Sequence, residues 1–285
     1  MIVCFGSLNQ DLAVNVGHLP APDETVLATG ADDFRGGKGH NQAMAAARLG
    51  GTVAMVGRVG GDDAGRWLRA GLADAGVDVA HVHATPAART GTALCLLDDA
   101  GQVSIVVIPG ANALVDPDAA DDAAALLDQA DLLLLQGEVS VAASLRAAEL
   151  VKSGGGRVIV NPAPVPTGTA ELTTLLDLAD VVVVNRPEAA MLGLTPSDRV
   201  VVTLGADGVQ VAGTTIAAFP AQPVDPTGAG DSFVAALAVA LEDGAGLVEA
   251  ARFGAAAGAC AVEVAGAEPS LPTRAAVEAR MGVQL

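Results

Sequence analysis

The chain has 285 residues, 51% of them hydrophobic but only 2% aromatic, with no Tyr, one Trp and a formal net charge of −18. That is apolar matter enough for one large or two smaller α/β domains, while the charge repels nucleic acid and anionic membrane surfaces and the scarcity of aromatic residues removes the platforms on which single-stranded nucleic acids stack. An anionic nucleotide bound here would need a metal ion, helix ends and a few local cations.

Taken in order, residues 2–6 form an apolar run without the basic leader of a signal peptide, and no apolar run is long enough to cross a bilayer, so the cytoplasm is the expected location. Cys4, Cys95 and Cys260 are widely spaced and outside any CxxC pattern, which reads as buried thiols in a reducing compartment. Asn9-Gln10-Asp11 follows the first predicted strand, placing an amide and a carboxylate at the edge where open α/β sheets bind ligands. Such side chains can bond adjacent sugar hydroxyls, and they are also ordinary turn chemistry. The short strands 11–17 and 25–29 do not lead into a crossover helix, so they belong to a small separate sheet.

After Gly36-Gly37 the pattern becomes a helix from about residue 40 to 49, stopped by Gly50-Gly51. Lys38 is followed by Gly39, so this is not a Walker A loop, and no dinucleotide fingerprint occurs. A strand at 52–57 and a helix at 65–75 establish a βαβ rhythm and hence a parallel sheet. The rhythm is interrupted at 90–97 and 102–108 by an antiparallel hairpin, which with the two earlier strands can form a four-stranded lid. It resumes with a helix from 117 to about 130, strands at 132–135, 158–161, 181–185 and 199–205, a helix at 142–153 and a hairpin around Asp207-Gly208. Glu138 and Asn185 follow strand ends, where they either cap helices or converge with Asn9 and Asp11 on one edge of the sheet.

The last third carries Asp225-Pro-Thr-Gly-Ala-Gly-Asp231, running directly into an apolar, alanine-rich helix, with a second such helix at about 247–262. Gly228 and Gly230 permit a tight turn with exposed N–H groups, and the helix start adds unpaired donors and a positive dipole end, so the junction suits an anion. Asp231, in the first helical turn, is either a cap or a base that takes a proton from a hydroxyl attacking a phosphoryl group.

Two stretches, Gly36-Gly37-Lys38-Gly39-His40-Asn41-Gln42 and Asp225–Asp231, resemble the two signatures of the ribokinase-like (PfkB) carbohydrate kinase family. Gly6–Asp11, Asn161-Pro-Ala-Pro164, Asn185-Arg-Pro-Glu188, Thr203-Leu-Gly205 and Gly266–Ser270 match further family segments in order, so the resemblance covers nearly the whole chain. It implies one kinase domain over 1–285: a doubly wound, mostly parallel α/β sheet flanked by helices, with a β-sheet lid inserted from about 11–35 and 88–110. Asp231 would be the catalytic base and the backbone of Gly228, Ala229 and Gly230 the anion hole. Asn9, Asp11, Gly37, Lys38, Asn41 and Glu138 would bind the sugar. Asn185 and Glu188 would lie near the phosphates and Mg²⁺, with Thr203 and Gly205, as well as Gly230, at the nucleotide. Asp225, Thr227, Ala261, Val264, Gly266 and Ser270 match the positions of an activating monovalent cation, here K⁺. The implied reaction is transfer of the γ-phosphate of MgATP to the primary hydroxyl of D-ribose. Fructose, 2-keto-3-deoxygluconate or adenosine as acceptor, or a non-catalytic sugar- or nucleotide-binding member, are the alternatives. A homodimer through the lid is implied as well.

Three places depart from the family pattern. His40 replaces a small residue and, at a helix start, reads as a solvated neighbour of the cap. The segment between Glu188 and Thr203 is short, and Gly254 stands where the family has a His near the adenine.

Overall fold

The computed structural model of the chain describes residues 1–166 and 170–282. Its first half contains β1 (Ile2–Phe5), β2 (Asn9–Val16), β3 (Ala28–Gly36), α1 (Lys38–Arg48), β4 (Val53–Gly60), α2 (Asp63–Asp74), β5 (Asp78–Thr85), β6 (Gly91–Asp98) and β7 (Val103–Ile108). There follow α3 (Pro117–Asp122), α4 (Ala124–Leu127), β8 (Leu132–Gln136), α5 (Val141–Ser153), β9 (Arg157–Asn161), α6 (Ala170–Leu178), β10 (Val181–Asn185), α7 (Arg186–Leu192) and β11 (Val200–Thr203). The short strands β12 (Val209–Val211) and β13 (Thr214–Ile216) precede α8 (Ala229–Glu242), α9 (Leu247–Ala261), α10 (Ala267–Ser270) and α11 (Arg274–Met281).

Nine strands form one sheet in the order β13-β12-β11-β10-β9-β8-β1-β4-β5, parallel from β11 to β5 and antiparallel at the β12 and β13 edge. The runs of Leu and Val in β8 and β10 are buried because successive side chains enter different cores. Ile2, Cys4, Leu132, Leu134, Ile159, Val181 and Val183 pack with α1, α2, α8 and α9. Val3, Phe5, Leu133, Leu135, Val158, Val160, Val182 and Val184 pack with α3, α5 and α7 on the other face. Nearly all of α8 from Asp231 to Leu241 is buried, and its Ala residues lie against the Ala face of α9. Such small side chains let two helices approach closely, so enlarging them would overpack the pair.

Four other strands form the small sheet in the order β3-β2-β6-β7. The strand bounds differ from the sequence expectation: β2 already starts at Asn9, and β3 lies at Ala28–Gly36, C-terminal to the expected 25–29. The sequence of β3, with its two Asp and an Arg, carries no apolar alternation because most of the strand is exposed. The expected helix at 117–130 is two short helices broken at Ala123, while β5 and α6 are elements that hydrophobic spacing did not indicate. The shortened segment after Glu188 retains α7, closed by Gly193 in the left-handed conformation.

The chain adds strands on one side of β1 as far as β5 and then returns to its other side through β8. The crevice outside the carboxyl ends of β1 and β8 is thus a topological switch point, the usual ligand position in a sheet of this kind. Register strengthens the point, since Gln136 is level with Asn161 and Asn185 with Thr203, so the polar ends of four strands line one rim.

Candidate active site

The site assembles where the first turn of α1 slides under the loop after β1. Gly37 caps α1 with φ 88°, and a side chain there would stand 2.8 Å from the backbone N of Asn9. Only glycine combines that conformation with that approach. Glu138, just past β8, accepts from the Lys38 backbone N–H at 3.0 Å and from the Ser7 hydroxyl at 2.5 Å. Its carboxylate therefore caps α1, one of the two roles the sequence left open, and the negative charge suits the helix start.

Asn41 and Gln42 then project toward Asp231, the third residue of α8. The Asn41 amide donates to Asp231 Oδ2 at 3.0 Å and the Gln42 amide to Oδ1 at 3.1 Å, in an environment where all three residues are buried. Gln42 is itself held from behind: Gln136 Nε2 donates to its Oε1 at 2.9 Å, and its own Nε2 also reaches Asn161 Oδ1 at 3.4 Å. Asn161 donates in turn to the Val183 carbonyl at 3.0 Å. Nearby, Asn112 grips the entry to β2, donating to Asn9 Oδ1 at 2.7 Å while accepting from the Leu8 N–H at 2.9 Å. The candidate list from the sequence lacked Ser7, Gln42, Asn112, Gln136 and Asn161; the available signal for Gln136 and Asn161 was their place as polar ends of apolar strands.

Charge is concentrated at this site. Burial, with the Glu138 and Asp231 carboxylates added, pushes the Asp11 carboxyl up to about 7, against the pull of Lys38. Asp11 Oδ1 is buried without a partner, and Gly36 is required beside it because a side chain there would strike the carboxylate. Lys38 answers these acids: Asp231 first, then Glu138, Glu188 and Asp11 raise its ammonium above the ordinary lysine range against the opposing effect of burial. One cation thus faces four carboxylates from four parts of the chain.

Gly228 caps α8 in the left-handed conformation, φ 79°. Among the described residues the N–H groups of Gly230 and Asp231 form no hydrogen bond, whereas that of Ala229 leans on the Pro226 carbonyl at 3.2 Å. Around this turn Asp225 gathers the Thr227 N–H and hydroxyl on one oxygen and the Gly266 N–H on the other, and the Ser270 hydroxyl is shared between the Ala267 carbonyl at 2.7 Å and the Thr227 carbonyl at 3.1 Å. Ala261 and Val264 belong to the adjoining turn, where the Val264 N–H meets the Ala261 carbonyl. The six positions expected at a monovalent cation are therefore brought to neighbouring turns. Asn185 and Glu188 cap α7 reciprocally, each side chain bonding the other's backbone N–H. Thr203 and Gly205 sit at the end of β11 and the turn beyond it, on the same rim.

His40 corrects the sequence reading. It is not a solvated cap neighbour: α1 begins at Lys38, and its first turn is wedged under Ser7, so the imidazole is fully buried and neither ring nitrogen has a hydrogen-bond partner. Burial first, then the Arg35 guanidinium, pushes it down to about 3, which keeps it neutral. Behind it Arg35, the penultimate residue of β3, stacks on Trp67 at 4.6 Å and pairs with Glu268 of α10, while Arg48 donates to the carbonyls of Glu268 and Leu271.

Residues 1–274 match the model of the pfkB family carbohydrate kinases. Ribokinase of Bacillus subtilis is 37% identical over 97% of this chain and 98% of its own length. The fold is similar to that of Thermotoga maritima ribokinase (TM-score 0.88, 32% identity) and of Arabidopsis thaliana ribokinase complexed with ribose and ATP (TM-score 0.87, 33% identity), each match covering 99% of both chains.

Proposed function

Because this chain belongs to the pfkB family of carbohydrate kinases, we propose that it is an ATP-dependent ribokinase, transferring the γ-phosphate of MgATP to the primary hydroxyl of D-ribose. The observation that carries the reading is Asp231, buried at the start of α8 with both carboxylate oxygens held by amide donors and unpaired backbone N–H groups beside it. In this reading the sugar lies between α1, β2 and the loop after β8. Asn9, Asp11, Asn41 and Glu138 take its hydroxyls, with Lys38 and the Gly37 backbone beside them. Asp231 accepts the proton of the attacking hydroxyl as the new P–O bond forms. The N–H groups of Gly228, Ala229 and Gly230 meet the charge that develops on the transferred group, Ala229 by giving up its weak bond to Pro226.

Among the described residues no cluster of three or more His, Cys, Asp or Glu is arranged to hold a metal ion. Mg²⁺ would therefore arrive largely on nucleotide oxygens, as this ion commonly does, with Asn185 and Glu188 near it and Thr203 and Gly205 toward the nucleoside. The Asp225 bonds that draw the 225–227 and 266–270 turns together fit a cation held chiefly by carbonyls from Asp225, Thr227, Ala261, Val264, Gly266 and Ser270. K⁺ there would stiffen the turn from which α8 starts. ADP release from MgATP tests both statements at once. We expect turnover on D-ribose to exceed that on fructose, 2-keto-3-deoxygluconate and adenosine, and to fall several-fold when tetramethylammonium replaces K⁺. Turnover on another acceptor alone would overturn the sugar assignment, and equal rates in the two salts would overturn the cation site.

The small sheet is the proposed lid, and its outer edge the proposed homodimer contact. Every residue of β7 is exposed, including Val103, Ile105, Val106, Val107 and Ile108, and β7 is an edge strand. Proteins seldom leave a long apolar edge uncovered. Sedimentation should give a dimer for the wild type and a monomer for Ile105→Asp; a monomeric wild type, or a variant that stays dimeric, defeats the proposal. Among the described residues no helix is long and apolar enough to cross a membrane, and a cytoplasmic location remains the reading from the sequence.

A further inference from the structure

We infer that Gln42 is a positioning residue for Asp231, and that Asn161 and Gln136 exist to fix which way its amide faces. An amide side chain offers an oxygen on one side and an NH₂ on the other, and only the NH₂ is useful against a carboxylate. Here the choice is settled by a backbone group that cannot turn over. The Val183 carbonyl accepts from Asn161 Nδ2, so Asn161 must present its oxygen to Gln42. Gln42 then presents Nε2 both to Asn161 and to Asp231, and its Oε1 accepts from Gln136 Nε2. Donation enters Gln42 on α1 from Gln136 on β8 and leaves it two ways, to Asp231 on α8 and to Asn161 on β9, which donates on to β10, so a reversed Gln42 would meet oxygens on two sides.

The arrangement leaves two amide oxygens unsatisfied, Asn41 Oδ1 and Gln136 Oε1. Gln136 Oε1 is buried without a partner, against Gly6, where a Cβ would lie 1.9 Å from it. A buried polar atom left bare is destabilising and uncommon, so a network that tolerates two in order to fix its direction is built for something besides stability. Its product is the plane of the Asp231 carboxylate. One donor on each oxygen, Gln42 on Oδ1 and Asn41 on Oδ2, stops rotation about the last side-chain bond and leaves the remaining lone pairs aimed at a single place. Resting on the kinase reading above, this predicts that Gln42 acts on the chemical step and hardly on sugar affinity.

The experiment compares Gln42→Glu and Gln42→Ala with the wild type in the ADP-release assay between pH 5.5 and 8. The charged groups of the site are Asp231 on α8, Lys38 on α1, Glu138 after β8, Asp11 on β2 and Glu188 on α7, while His40 on α1 is held neutral by burial and Gln136 and Asn161 carry no charge. At pH 8 the carboxylate introduced by Gln42→Glu repels Asp231 and donates nothing; kcat should drop about 10–100-fold, the size of a charge-assisted hydrogen bond, with the KM for the sugar within about threefold. Towards pH 5.5 the new carboxyl regains a proton and can donate again, so the ratio of variant to wild-type kcat should climb. Gln42→Ala, which brings no charge, should show the loss of kcat without the climb, and it serves as well should the charged variant not fold. A kcat above half of wild type in Gln42→Ala, or kcat loss matched by an equal rise in KM, would overturn the inference. A wild type silent on ribose refutes the substrate reading instead, so the two failures are separable.

Discussion

An Asp231→Asn protein is expected to fold and bind sugar and yet to turn over about 10²–10⁴-fold more slowly than the wild type, the usual contribution of a general base. Asn matches Asp in shape, so α8 keeps its packing. The exchange is not electrostatically silent. Of the two amides that now donate to Asp231, an Asn can accept from only one in the same geometry, and its own NH₂ must face the other. The stability cost is that of one hydrogen bond, about 1 kcal/mol. Lys38 loses the carboxylate that most raises its ammonium, and Asp11 loses one of the two charges that hold its carboxyl up. A variant that kept more than a tenth of the wild-type kcat would take the base role from Asp231; one that failed to bind sugar by calorimetry would show that the residue holds the site together instead.

The second large effect is expected at Asp11, where binding and stability should move in opposite directions. Its folded carboxyl titrates near 7, above the ordinary 3.8, because burial and the Glu138 and Asp231 charges disfavour ionisation. A group whose value is raised by folding holds its proton more tightly in the folded protein than in the unfolded chain. Its contribution to stability is complete below pH 4 and is lost as pH rises through about 7. At pH 8 the ligand-free protein therefore carries an ionised, poorly partnered carboxylate, whose Oδ1 has no donor. Asp11→Asn should raise the ligand-free Tm at pH 8 by about 2–4 °C, equivalent to roughly 1 kcal/mol, with little change at pH 5. The same variant should weaken sugar binding by about 10–100-fold at pH 8, since a hydroxyl loses a charged acceptor. Parallel Tm-against-pH curves for wild type and variant would show that Asp11 does not carry this burden.

These two residues were named from the sequence, and the reasons differ from those that hid others. The core strands declare themselves because Leu132–Leu135 and Val181–Val184 are buried on both faces. The strand β5, with His81 and His83 on an outer edge, and β3, with Asp32, Asp33 and Arg35, have no such face to mark them. Asp231 and Glu138 stand at the ends of elements, where a lone carboxylate is conspicuous. Gln42, Gln136 and Asn161 bond mainly to other side chains across three elements, and only the assembled register reveals why those amides are there. His40 shows the same limit from the other side: its position in the helix was nearly right, but burial beneath Ser7 is a property of the approach between α1 and the loop after β1.

One consequence of the Arg35 stack is spectroscopic. Trp67 is the chain's single Trp and there is no Tyr, so intrinsic emission excited at the red edge of the indole band has one source, and that source lies under a guanidinium carried by the end of β3. Gly36 and Gly37, which follow Arg35 directly, join this strand to the start of α1. Any swing of the small sheet that draws Arg35 from the indole changes the quenching and polarity that the ring experiences. Under the proposed lid reading, Trp67 is a built-in optical reporter of the small sheet's position, readable by stopped-flow mixing with sugar and nucleotide separately, without a dye or an added residue.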